Sequence, residues 1–176
     1  MAPILANVGV PMVFSQVILM GFAFLPVVLI ESVIVRKLLA IPLRRVLKDV
    51  GVANLCTTLL GVPLAWGAML LLELASTNGG TAMGMDSPAK MLAAVTLQAA
   101  WLVPYEDELH WMIPAATSVL LIPCFVLSLI IERWVLVRRW KEREHSAVFS
   151  AVLRANVWSY LFLFIAGSLW TVSNLR

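Results

Sequence analysis

Four stretches of the chain carry no charged side chain: residues 1–30, 50–72, 111–131 and 155–175. Each supplies the roughly 20 apolar residues that an α-helix needs to cross a hydrocarbon core about 30 Å thick. The pattern predicts an all-α fold, an integral membrane four-helix bundle, with helices at about 13–35, 50–74, 111–137 and 152–172. Pro26, Pro63 and Pro123 fall inside these helices, where a proline ring kinks the axis and frees a carbonyl that neighbouring helices must satisfy. The first stretch lacks a basic leader and a small-residue processing site, so it reads as a retained helix and not a cleaved signal peptide.

Short basic connections join the helices into two hairpins, 11–74 and 111–176, within one membrane domain covering 1–176. Between the hairpins, 75–110 begins with a Gly-, Asn- and Ser-rich loop and turns apolar again at 88–103. That second apolar run is too short to span comfortably. It is expected as an interfacial helix, with a re-entrant segment as the other possibility.

Charge fixes an expected orientation. Of the 13 Lys and Arg, five lie in 36–48 and six in 133–154, whereas Glu73, Asp86 and 106–108 gather acid between the second and third spans. Basic loops stay on the cytoplasmic side of a membrane, which places 36–49 and 132–154 inside and both termini outside. A bacterial cytoplasmic (inner) membrane, or an internal membrane derived from it, is the expected location. The net charge of +3 follows from these topology determinants, so nucleic acid is not an expected partner. With 61% hydrophobic and 13% charged residues, the composition departs far from the roughly 25% charged of a soluble domain.

A faint duplication relates the hairpins. Ile30-Glu31 matches Ile131-Glu132, and Asn54 with Thr57 matches Asn156 with Ser159, at offsets of 101 and 102. Helices 1 and 3 run the same way, so the relation is a parallel pseudo-repeat. Glu31 precedes the first basic residue by five positions, which sets it about 7–9 Å inside the interface at 1.5 Å per residue. A carboxyl at that depth must face the bundle and find a donor. Asn54 is the candidate donor to Glu31, and Asn156 or Arg154 the candidate donor to Glu132. These residues are either structural clasps or a polar path for protons or a small solute.

Two further constellations lie in the outer segment. Met83, Met85 and His110 offer thioether and imidazole ligands suited to Cu(I), although Met is also a routine filler of apolar helices. Asp86, Glu106, Asp107 and Glu108 form an acidic surface that could dock a basic partner. Cys56 and Cys124 sit inside predicted spans with no metal-ligand spacing. No catalytic or nucleotide-binding motif appears, so an enzyme is not expected. No cofactor is expected either, beyond bound lipids.

The run Glu31-x-x-Val-x-Val-Arg36, then Asn54-x-x-Thr57 followed by Gly61, and Ala155-Asn156-Val-Trp-Ser159-Tyr160, resembles small bacterial polytopic membrane proteins and faintly the FraC-type septal membrane proteins of filamentous cyanobacteria. That resemblance implies a small, assembly-forming membrane protein linked to filament integrity and cell–cell exchange. The expected function is a non-catalytic accessory or scaffold subunit of a larger membrane complex, with other membrane subunits or further copies of itself as partners. The alternative is a solute or ion transport element using Glu31 and Glu132, and a third reading is outward-facing copper handling.

Overall fold

A computed structural model describes residues 9–77, 82–103 and 107–174. Among the described residues, four helices are long and apolar enough to cross a membrane: α1 (Met12–Leu39), α2 (Leu43–Ser76), α4 (Leu109–Arg139) and α5 (His145–Asn174). The fifth helix, α3 (Pro88–Thr96), starts at a Ser87 cap whose hydroxyl accepts from the Lys90 N–H. Even α1, at 28 residues, is about 42 Å long, more than a hydrocarbon core requires. Phe22, Ile122 and Leu71 lie two-thirds or more exposed on the bundle surface, as lipid-facing side chains do.

The helices form a ring in which α1 packs on α2, α2 on α4, α4 on α5 and α5 back on α1. Each helix is therefore flanked by one partner from its own hairpin and one from the other. At the basic end Val35, Val46, Val50, Leu136, Trp140 and Val148 build one apolar cluster. At the opposite end Met12, Ala99, Leu102, Met112 and Leu120 build another.

Helices α2 and α5 begin seven residues before the expected 50 and 152, running on through charged sequence. Helical backbone continues wherever hydrogen bonding and packing allow, so the apolar window marks the membrane and not the helix end. The α1–α2 connection shrinks to Ala40–Pro42, with Ala40 in the left-handed region (φ 50°) and its N–H capping Arg36 O.

The expected helix over 88–103 is shorter in the structure. It stops at Thr96, and Trp101–Leu102 then pairs antiparallel with Val10–Pro11, forming β2 and β1. The segment folds back onto the end of the bundle, with Ala99, Ala100 and Leu102 fully buried. Three bonds hold it there. Met12 N–H donates to Ala100 O (3.0 Å), Trp66 Nε1 donates to the same carbonyl (2.8 Å), and Trp101 N–H donates to Glu73 Oε2 (3.1 Å).

Within α2 the hydrogen bonding widens to a π turn over Thr57–Gly61, directly before Pro63. Proline has no N–H and its ring collides with the carbonyl four residues back, so the ladder must loosen there. Gly61 lies at this turn, against α4. A Cβ on it would sit 3.2 Å from Thr57 Cγ2, 3.4 Å from Ile131 Cδ1 and 3.8 Å from Leu127 Cβ. Alanine therefore fits with small adjustments, whereas Gly61→Val is expected to cost about 1–3 kcal/mol by overpacking. Denaturation of the two variants in detergent, compared with the parent chain, checks this; equal stability of all three would show that α2 and α4 do not touch at this point.

Candidate functional site

The polar cluster in the bundle is assembled from all four long helices. Glu31 comes from α1, Asn54 and Thr57 from α2, Glu132 from α4, and Asn156 and Ser159 from α5. Asn54 Nδ2 donates to Glu31 Oε2 at 2.6 Å, and Asn156 Nδ2 donates to Glu132 Oε2 at 2.7 Å. Both asparagines also donate to the carbonyl one turn back, Val50 O at 3.2 Å and Val152 O at 3.1 Å, which fixes their rotamers.

The second oxygen of each carboxyl is served from the other hairpin. Ser159 Oγ donates to Glu31 Oε1 at 2.7 Å, and Thr57 Oγ1 approaches Glu132 Oε1 at 3.5 Å. The two carboxyl groups lie within hydrogen-bonding reach of each other. Each hairpin thus contributes a carboxyl, an amide and a hydroxyl, and the hydroxyls cross over. Glu31 is 1% and Glu132 2% exposed, and no Lys, Arg or His is among their hydrogen-bond or ion-pair partners among the described residues.

Toward the basic end, the cluster around Val35, Val50, Ala53, Val135 and Ala155 closes the site. Toward the other end lies a cavity of about 20 Å³, bordered by Asn54, Thr57, Cys124, Ser128 and Tyr160 among others. That is room for about one water. Ser128 and Tyr160 are hydrogen-bonded at 2.6 Å, and Cys124 Sγ lies 3.5 Å from Gln16 Oε1. Chemically, the arrangement binds four helices through buried amides and hydroxyls on carboxyl oxygens. Such bonds are strong where water cannot compete for them.

Arg154 does not join this cluster, contrary to one of the two expectations for Glu132. It is exposed on α5 while Asn156, two residues on, is fully buried. Two residues turn a helix by about 200°, so the two side chains cannot face the same way.

In the segment between the hairpins, Met85 packs against the apolar cluster that contains Met112, and the Met83 N–H donates to Gln98 Oε1 at 3.2 Å. His110 is exposed, with Nδ1 2.7 Å from Asp107 O. Among the described residues no three His, Cys, Asp or Glu gather as a metal site. Asp86 is paired with Lys90 Nζ at 2.9 Å, a hydrogen bond that holds its carboxyl below the usual aspartate range. Glu108 is bonded to the Trp111 indole N–H, and Asp107 is exposed. Glu106 lies outside the described residues.

Two polar anchors carry little signal in the sequence. Asp49, 6% exposed at the basic end of α2, accepts from Arg139 Nε at 2.9 Å and from Trp140 Nε1 at 2.7 Å. Its one sequence signal is an acid set among the basic residues of 36–48 with Arg45 four positions before it, within 3.8 Å. Glu73 was grouped with the outer acids, yet it is buried and tied to the backbone of Trp101. Trp66, within the second span, donates its indole N–H to Ala100 O.

The chain was compared with protein-family models, curated proteins and solved structures, and it matches none of them.

Proposed function

We propose that this protein is a non-catalytic structural subunit of a larger membrane assembly, a self-locked bundle that scaffolds or stabilises its partners. The observation that carries the reading is how completely the four-helix polar cluster is bonded within itself. The Glu31 and Glu132 carboxyls are bonded to neutral donors from both hairpins, covered on one side by apolar packing and bordered on the other by space for one water. A polar site in a membrane is costly and persists where it holds helices together or moves something. A site whose carboxyl oxygens are taken up by neutral donors, with room beside it for about one water, fits the first purpose. The matching residue patterns of the two hairpins support a duplicated hairpin, and the septal-protein resemblance supports a small, assembly-forming membrane protein. The clustering of basic residues supports an inner-membrane setting with 36–49 and 132–154 in the cytoplasm.

Purification from native membranes in mild detergent, with mass spectrometry of what stays attached, tests the proposal. Membrane partners in fixed ratio are expected, and Glu31→Gln is expected to change at most their retention. Liposomes carrying the protein alone are expected to show no ion or solute flux above protein-free liposomes. A flux abolished by Glu31→Gln or Glu132→Gln would overturn the structural reading in favour of a transport element.

A further inference from the structure

On the outside of the bundle, between α1 and α5, runs a groove of about 670 Å³ walled by Leu29, Ile30 and Val33 on one side and Leu161, Phe162 and Ile165 on the other. Toward the basic end it passes, through the shared residues Ile34 and Trp158, into a second hollow of about 420 Å³ that Lys37 and Arg154 line. The two cations come from different hairpins. Both are exposed, and neither has an ion pair or hydrogen bond to another described side chain. At this end Arg45 is paired with Glu142, Arg139 with Asp49, Arg138 stacks on Trp134 and Arg133 on Phe149. Among the described residues, Arg36, Arg44, Lys48 and Lys141 are unpaired like Lys37 and Arg154 but do not line the hollow.

The geometry points to a binding site for one anionic phospholipid, with its acyl chain in the α1–α5 groove and its phosphate between Lys37 and Arg154. Length supports this occupant. From Leu29 to Lys37 is eight residues, about 12 Å along the axis, close to the roughly 15 Å depth of one leaflet's hydrocarbon. Charge supports it as well. A transmembrane helix seated here would lay apolar residues against two unpaired cations, whereas a phospholipid brings its anion to that level and its chain below it. Trp158, 60% exposed at the junction, is suited to the boundary between the two because its indole has an apolar body and a polar N–H.

The test uses the full chain in nanodiscs of phosphatidylcholine doped with phosphatidylglycerol, with retained lipids counted by native mass spectrometry. The unaltered protein is expected to keep phosphatidylglycerol over phosphatidylcholine by about thirtyfold, since the two cations near the surface contribute about 1 kcal/mol each. Lys37→Gln with Arg154→Gln is expected to abolish that preference. The pair Lys141→Gln with Arg143→Gln removes the same charge from the same end and is expected to leave it intact. Val33→Trp narrows the groove without changing charge and is expected to lower lipid retention of both kinds. Selectivity that survives loss of Lys37 and Arg154, or falls equally in the control pair, would overturn the site. So would unchanged retention in Val33→Trp, or a co-purifying protein that protects the groove in place of lipid.

Discussion

Replacing Asn156 by leucine is expected to destabilise the bundle by about 2–4 kcal/mol, while Glu132→Gln changes stability by less than about 1 kcal/mol. The contrast follows from what each change leaves behind. Asn156 supplies the one short bond to Glu132, at 2.7 Å, because the Thr57 hydroxyl stands off at 3.5 Å. Leucine fills the volume but donates nothing, so a carboxyl that is 2% exposed loses its short bond and keeps the long approach of the Thr57 hydroxyl. Removing one partner of a buried polar pair costs far more than the pair contributes, since the remaining group carries its full desolvation penalty. Glutamine at 132 leaves a carbonyl oxygen for Asn156 and turns an amide toward the Glu31 carboxyl that faces it. Unfolding in mixed detergent micelles measures both variants. Should Asn156→Leu fall within about 0.5 kcal/mol of the parent, the cluster does not hold the bundle together and the structural reading of it fails.

The four spans and the two in-hairpin bonds were legible because both rest on spacing along one chain. A charge-free window of about 20 residues has one inexpensive environment, and Glu31 and Asn54 are placed at equal depth by the length of the turn that joins their helices. The crossed hydroxyls were not legible. Ser159 reaches Glu31 across 128 residues, and which faces of α1 and α5 meet depends on packing around the whole ring. Arg154 was assigned inward by its position near Glu132, while the helical period sends it outward beside Lys37. Trp140 stands beside the charged end of α4, where an indole ordinarily meets the interface. It is fully buried, because its indole N–H has a carboxylate to bind inside the basic end. The run 97–103 leaves the helix that its apolar character suggested, because Trp66, Glu73 and the backbone of Met12 offer its N–H and C=O groups better-placed partners.

The basic end of the bundle carries the second large expected effect, centred on Asp49. Its carboxylate receives Trp140 Nε1 on Oδ2 and Arg139 Nε on Oδ1, tying the start of α2 to the end of α4. Arg45 extends the tie outward, to Asp49 at 3.8 Å and to Glu142 at 2.6 Å. Asp49→Leu strands a fully buried indole N–H and removes the counter-charge of Arg139. A fully buried pair broken this way costs about 3–5 kcal/mol, and because the Arg139 side chain is 33% exposed, water offsets part of that, leaving about 2–3 kcal/mol. Asp49→Asn keeps an oxygen for Trp140 and is expected to cost about half as much. Arg45→Gln, at a side chain 45% exposed, is expected to change stability by less than about 0.5 kcal/mol. A double-mutant cycle between Asp49→Leu and Trp140→Phe isolates the indole bond, with about 1–2 kcal/mol of coupling expected. Coupling near zero would assign the stability at this end to the apolar cluster around Trp140 and not to the carboxylate. Asp49 lies five residues from Asn54, and Arg139 seven from Glu132, about 7.5 and 10 Å along their helices. The two sites share no hydrogen-bond partner among the described residues, so the loss of Asp49 and the loss of Asn156 should add, which separates two independent clasps from one continuous polar network.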